Sequence, residues 1–154
     1  MVDGTLERFG CGTHGLSVVD WRSWPAEQAA AVESFVNAWW EGVLTMPESP
    51  YPIQDVFETC AAILGSMTPL LDRWRSGPVA DVHLLSCVER WLDDLLSDQS
   101  PFCWYDDATD SDIRALQTWL AEEGLARLEA RDYGLALRVG LLAVPVPERW
   151  DRMY

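Results

Sequence analysis

The chain has 154 residues and a formal net charge of −14, from 25 acidic and 11 basic residues. All 11 basic residues are arginine, because the sequence contains no lysine. This charge balance argues against binding to nucleic acids and to anionic membranes, since both require a basic surface. The missing lysine also excludes lysine Schiff-base chemistry and phosphate sites built on lysine.

Length and composition predict one globular domain, residues 1–154. Hydrophobic residues make up 49% of the chain and charged residues 23%, which is typical of a folded domain. The apolar runs are too short to span a bilayer, and the first residues lack the basic start and apolar core of a signal peptide. Four cysteines without a C-x-x-C pair indicate free thiols in a reducing compartment. We therefore expect a cytoplasmic protein.

The N-terminal part of the chain is predicted to be irregular and then helical. Recurring glycines favour an irregular segment at 1–22. Apolar residues spaced by three and four then predict a helix at 25–45. The residues of its stripe are expected to face the core, with Trp40 at the edge: Val32, Phe35, Val36, Trp39 and Val43.

Further helices follow, separated by proline and glycine. An apolar stripe at 53–67 predicts the second long helix, Pro69 restarts a short one, and 79–97 is predicted to be the third long helix. The main loop is expected at 98–110.

The C-terminal part is expected to contain helices and then an extended end. Asp110 is expected to cap a helix that Gly124 closes in a left-handed conformation. One or two helices are expected from Leu125 to Val144, and an extended tail at 145–154. Since no convincing strand pattern occurs, we predict an all-α fold, an irregular bundle or array of five to six helices.

An acidic chain of this kind suits a basic protein partner. Tryptophans outside the helical stripes are candidate binding residues, because large aromatic side chains are enriched in binding hot spots. The predicted contact surface is the acidic, aromatic loop with possible neighbours on the preceding helix: Trp104, Tyr105, Asp106, Asp107 and Asp110, with Asp93 and Asp94. The corresponding function is that of a non-catalytic inhibitor, immunity or antitoxin-like protein, or adaptor, and the sequence does not specify its oligomeric state.

The alternative function is a zinc- or thiol-dependent enzyme. Cys11 and His14 form C-x-x-H in a glycine-rich loop, whereas His83 and Cys87 are four residues apart on a helix. Two thiolates and two imidazoles would complete a tetrahedral zinc site. The competing interpretation places His83 and Cys87 on a solvated flank without metal, and we expect no cofactor. Cys103 is a second thiol candidate, but no catalytic motif accompanies it.

A third hypothesis is a small-molecule pocket between helices, lined by tryptophan.

Overall fold

Helices and turns make up the regular structure of the chain. The computed structural model describes residues 15–103 and 109–153, and no strand occurs within these ranges. The predicted all-α class is therefore confirmed, but the described ranges contain more α-helices than the five to six expected. Most of the predicted Gly-rich irregular segment, residues 1–14, lies outside the described residues.

Eight α-helices are present in the described ranges: α1 (Ala26–Leu44), α2 (Ile53–Leu64), α3 (Thr68–Arg73), α4 (Pro78–Leu96), α5 (Asp110–Trp119), α6 (Leu125–Glu129), α7 (Tyr133–Gly140) and α8 (Val146–Met153). Single 3-10 turns occur at Trp21–Ser23 and Leu141–Ala143, and a π turn at Leu120–Gly124 joins α5 to α6. No helix in the described ranges is both long enough and apolar enough to cross a membrane.

Proline and glycine set several helix boundaries. Pro25 and Pro52 precede the first residues of α1 and α2, and Pro78 opens α4. At these positions a missing N–H costs nothing, because the first N–H groups of a helix have no intrahelical acceptor. Gly65 ends α2 with φ of 67°, a left-handed conformation that glycine adopts without strain.

Within the predicted domain 1–154, the described residues group into two compact units. Unit 1 contains residues 15–74 and 102–103, and unit 2 contains residues 75–101 and 109–153.

An aromatic cluster forms the centre of unit 1. The Trp40 ring lies 5.3 Å from Phe57 and 5.1 Å from Trp74, both edge-on, and Phe102 stacks 6.0 Å from Phe57. Trp40 also donates a 3.0 Å hydrogen bond from Nε1 to the carbonyl of Leu70. The indole therefore fills the core and satisfies its single polar group at the same time.

The buried face of α1 differs from the predicted stripe. Trp40, expected at the edge, is fully buried, whereas Phe35 is 63% exposed and stacks on the half-buried Trp39 at 6.4 Å. Two apolar rows lie side by side on this helix, one with Phe35 and Trp39 and one with Val36 and Trp40. The row with Trp40 is buried, because it packs against Phe57 and Trp74.

A tryptophan that we expected outside the core is also buried. Trp21 is 3% exposed, and its Nε1 donates to the carbonyl of Ile63 at 3.1 Å. The 3-10 turn at Trp21–Ser23 is thus attached to the end of α2. Trp24 and Trp150, by contrast, are exposed.

Unit 2 contains α4 and the helices that follow the acidic loop. The most buried side chains of α4 lie on one face: Leu84, Cys87, Val88, Trp91, Leu92 and Leu95. Thr109, not Asp110, is the N-cap of α5, because its hydroxyl accepts from the Asp112 N–H while Asp112 accepts from the Thr109 N–H. This reciprocal capping box is a common helix start.

Two further expectations for unit 2 are wrong. Gly124 has φ of −72° and continues the helix through the π turn instead of ending it. The predicted extended tail, 145–154, instead contains α8, whose first turn is closed by N–H groups of Glu148 and Arg149 that donate to the Pro145 carbonyl. Two prolines suggested an extended chain, yet Pro147 lies in the first helical turn, where proline is tolerated.

Candidate functional site

The predicted acidic contact residues are only partly within the described ranges. Trp104, Tyr105, Asp106 and Asp107 lie outside them. Asp110 is exposed in the first turn of α5, and Asp93 and Asp94 are exposed near the end of α4. The three described carboxylates thus belong to unit 2 and present their charge to solvent.

Asp93 has an arginine partner. Arg138 of α7 donates from Nη2 to Asp93 Oδ1 at 2.6 Å, and the Asp93 side chain remains 86% exposed. Exposed pairs of this kind contribute little to stability. The Asp93 carboxylate therefore remains accessible to solvent despite this pair.

The predicted zinc ligands divide in the same way. Cys11 and His14 lie outside the described residues, and His83 and Cys87 are both buried on α4. Their placement on a solvated flank is therefore wrong, because both side chains pack inside unit 2. In the described ranges, no group of three or more histidine, cysteine or carboxylate side chains could hold a metal ion.

The cysteine thiols differ in accessibility. Burial raises the pKa of the Cys60 thiol to about 12. Burial also raises the pKa of Cys87 well above its ordinary value, and the nearby charge of Arg90 opposes this in part. Cys103 is exposed. A buried thiol held in its protonated form is a poor nucleophile.

Thiol reactivity should follow this difference. In the native protein at neutral pH, iodoacetamide should modify Cys60 and Cys87 more than about a hundredfold more slowly than Cys103. Mass spectrometry of the peptides would assign each site, and the denatured protein is the control in which all three should react. Rapid native modification of Cys60 or Cys87 would contradict the burial described here.

A pocket of about 470 Å³ lies in unit 2. It is bounded by α5, the π turn, the 3-10 turn at Leu141–Ala143 and α8, and Arg149, Asp98 and Gln117 form its polar network. Arg114 and Glu122 add one charge of each sign. Among the described residues its lining contains no tryptophan, in contrast to the pocket that the sequence suggested.

Arg149 is the centre of this network and is 4% exposed. Its guanidinium donates a 2.8 Å hydrogen bond to Asp98 Oδ1. It also donates to backbone carbonyls of two other segments: Leu95 and Leu96 at the end of α4, and Leu141, Leu142 and Val144. Carbonyls at a helix end have no partner inside the helix. Arg149 supplies that partner and thereby ties α8 to α4.

Asp98 completes the end of α4 in an unusual conformation. Its φ is 54°, and the N–H groups of Asp98 and Gln99 donate to the carbonyls of Leu95 and Asp94. This is a Schellman motif with aspartate where glycine is usual. Its carboxylate also accepts a 2.7 Å hydrogen bond from Gln117 Nε2. The left-handed backbone thus directs the Asp98 side chain toward two donors, Gln117 and Arg149.

The Asp98 carboxyl has a lowered pKa. Desolvation acts to raise this pKa, but hydrogen bonds from Arg149 and Gln117, with the charges of Arg149 and Arg114, outweigh it. Because the folded pKa lies below the unfolded value of about 3.9, the ionised group stabilises the fold above that value. This contribution is lost as the pH falls through the folded pKa.

Asp98→Asn provides the test. Asparagine also tolerates the left-handed conformation and keeps one acceptor oxygen, so the change removes mainly the charge. Between about pH 6 and pH 3, wild type should lose about 1 kcal/mol more stability than the variant, a modest value because Asp98 is half exposed. Urea midpoints at both pH values measure this, and parallel losses would refute it.

The residues of this network were missed by sequence reasoning. Arg149 falls in the predicted extended tail, and no sequence pattern singles out Gln117. One signal for the helix that carries Arg149 was available in the sequence. Pro145 and Pro147 stand just before Glu148, and prolines in this arrangement are compatible with the first turn of a helix.

Comparison with known proteins adds no relative. A scan against protein-family models and searches of curated proteins and of solved structures found no match to the chain.

Proposed function

We propose that the chain is a non-catalytic acidic module that binds a basic protein partner in the cytoplasm, as an immunity or antitoxin-like inhibitor or an adaptor does. The observation that carries this proposal is that several of its arginines are engaged within the fold. Five arginines form ion pairs with carboxylates of their own unit: Arg73, Arg127, Arg138, Arg149 and Arg152.

These pairs leave an excess of carboxylates. Each pair removes one acid and one arginine, so the difference of 25 − 11 = 14 acidic residues has no cation in the chain to balance it. Arg22 and Arg131 also donate to backbone carbonyls, those of Leu64 and Pro78. An unbalanced negative field attracts and orients basic partners.

The proposed contact surface is the acidic loop with the carboxylates near it in sequence. Asp110, Asp93 and Asp94 are exposed, which supports their use by a partner. Trp104, Tyr105, Asp106 and Asp107 complete the surface. Aromatic residues beside carboxylates would give a cationic partner both apolar contact and charge pairing.

The test asks whether the binding affinity of a basic peptide depends on the order of its residues. Basic peptides of identical composition but scrambled order should bind with affinities that differ by about tenfold or more if recognition is specific. Fluorescence anisotropy at about 50 mM and about 300 mM salt would separate specific binding from screened attraction. Affinity that follows peptide charge alone would overturn the proposal.

A matched pair of variants localises the surface. Asp106→Asn/Asp107→Asn/Asp110→Asn and the control Glu27→Gln/Asp72→Asn/Glu89→Gln change the net charge by the same amount. The first should weaken the best peptide by about tenfold and the control by less than about threefold. Equal losses would show that total charge, and not this loop, governs binding.

A further inference from the structure

The apolar row of α1 that contains Phe35 lies on the surface of unit 1. Its residues are spaced alternately by three and four, with a glycine in the fourth place: Val32, Phe35, Trp39, Gly42 and Met46. Phe35 is 63% exposed and Met46 is 44% exposed, whereas Val32 and Trp39 are half-buried. The neighbouring row with Trp40 forms the core, so packing of the interior does not account for this exposed row.

Small residues lie beside the large rings on the same face of α1. Ala31 and Ala38 are exposed, and they stand four residues before and three residues after Phe35. A Cβ added at Gly42 would meet no other atom within 4 Å, so the surface there is open. The stacked rings of Phe35 and Trp39, 6.4 Å apart, therefore stand next to low positions. A second helix packs well on such a face, because its side chains fit between the large ones.

An acidic row runs along one side of the exposed row. Glu27, Ser34 and Glu41 follow one another at intervals of seven residues, and all three are exposed. Residues seven apart lie almost above one another on a helix. Arg73 of α3 pairs with Glu41 at 3.0 Å, and Glu27 has no ion pair within the part of the chain that the structure describes. Since α1 contains no arginine, this side of the exposed row is acidic.

We propose that this face of α1 binds an amphipathic helix of the basic partner. The apolar side of that helix covers Phe35 and Trp39, and its arginine or lysine residues lie beside Glu27 and Glu41. Helices that bind to a protein surface use anchor residues at i, i+3, i+4 and i+7, which is the spacing of the exposed row. Within α1 the row is about 15 Å long, the length of about three turns of a bound helix.

Charge decides between this partner and a second copy of the chain. Each copy has a net charge of −14, so self-association along α1 would bring two acidic surfaces together. A basic helix instead gains from the charges of Glu27 and Glu41. The exposed row is therefore better suited to a partner of opposite charge.

This inference rests on the proposed function for the positive charge of the partner. It adds the form of the partner segment, a helix with one apolar side, and a second contact surface. That surface belongs to unit 1 and uses none of the predicted loop residues. Binding at α1 and binding at the acidic loop can therefore be tested separately.

The experiment compares two capped peptides of about 18 residues, both built from the same numbers of leucine, alanine and arginine. One order places the leucines on a single helical face, and the other distributes them around the helix. In a titration followed by 1H–15N NMR, the amphipathic peptide should shift the α1 amides in a saturable manner. It should bind at least about tenfold more tightly than the other order.

A neutral amphipathic peptide, with glutamine in place of arginine, tests the contribution of charge. It should bind at least about tenfold more weakly than the arginine peptide at about 50 mM salt, and this difference should shrink at about 300 mM salt.

Protein variants then assign the face. Phe35→Ser should weaken the amphipathic peptide by at least about tenfold. The matched control is Leu137→Ser on α7, because Leu137 has a similar exposure, 57% against 63%, and affinity should there stay within about twofold. Both side chains are exposed, so both variants should remain folded, which urea midpoints would verify. The α1 shifts should persist in the variant Asp106→Asn/Asp107→Asn/Asp110→Asn.

The outcomes separate this inference from the proposed function. Full affinity and unchanged α1 shifts in Phe35→Ser would overturn the inference alone, since the loop variant tests the proposed function independently. Equal affinity of the two arginine peptides in every variant would overturn both. Equal affinity of the neutral peptide would contradict a basic partner. A wild-type dimer in sedimentation equilibrium that Phe35→Ser converts to a monomer would assign the face to a second copy and overturn the inference.

Discussion

Arg149→Met is expected to destabilise unit 2 by about 3–5 kcal/mol. The substitution removes a buried cation and leaves the carbonyls of Leu96 and Val144 without the donors that Arg149 gives them in the native fold. Methionine fills a similar volume, so the effect isolates the polar contacts. The free energy of unfolding from urea denaturation measures it, and hydrogen exchange of the α4 amides assigns it to unit 2.

Arg152→Met is the control for this prediction. Arg152 lies on the same helix, but its partner Glu148 is 3.9 Å away and both side chains are about 60% exposed. Its loss should change stability by less than about 0.5 kcal/mol. If the two variants were equally stable, Arg149 would not be the connection between α8 and α4.

The second large effect is expected in unit 1. Trp40→Ala should cost about 3–5 kcal/mol, because it removes the ring between Phe57 and Trp74 and leaves the Leu70 carbonyl without its donor. Trp39→Ala should cost about 1 kcal/mol, since that ring is half-buried and stacks on an exposed Phe35.

This pair of variants also separates two descriptions of α1. The periodicity of the sequence assigns Trp39 to the core, and the structure assigns Trp40. Urea denaturation of both variants under identical conditions gives the order directly. A larger loss in Trp39→Ala would support the sequence-based stripe against the observed packing.

Helix positions were predictable because their signals are local. Prolines and apolar spacing located α1 and α4 to within a residue or two, at 25–45 and 79–97 against Ala26–Leu44 and Pro78–Leu96. The buried faces were less predictable. On α1 and α4 more than one side was apolar enough to pack, and partners distant in sequence, such as Phe57 for Trp40, made the choice.

The polar sites were beyond sequence reasoning for a related reason. Arg149 and Asp98 are 51 residues apart, and each looks like an ordinary surface residue until the backbone brings them together. Asn37 reads as the polar side of an amphipathic helix, and only its burial distinguishes it. The acidic character that suggested a basic partner was visible at once, because net charge does not depend on the fold.

The π turn at Leu120–Gly124 determines which face of the following helix, α6, points into unit 2. From Ile113 to Leu128, buried positions recur over 128 − 113 = 15 residues, which corresponds to about 3.75 residues per turn over four turns, against 3.6 in an α-helix. A regular helix would accumulate about 60° of rotation over that length and turn Leu128 away from the interior. The π turn contains more residues per turn than an α-helix and so compensates for this rotation. The buried residues from Ile113 to Leu128 therefore stay on one face, although their spacing does not match a uniform α-helix.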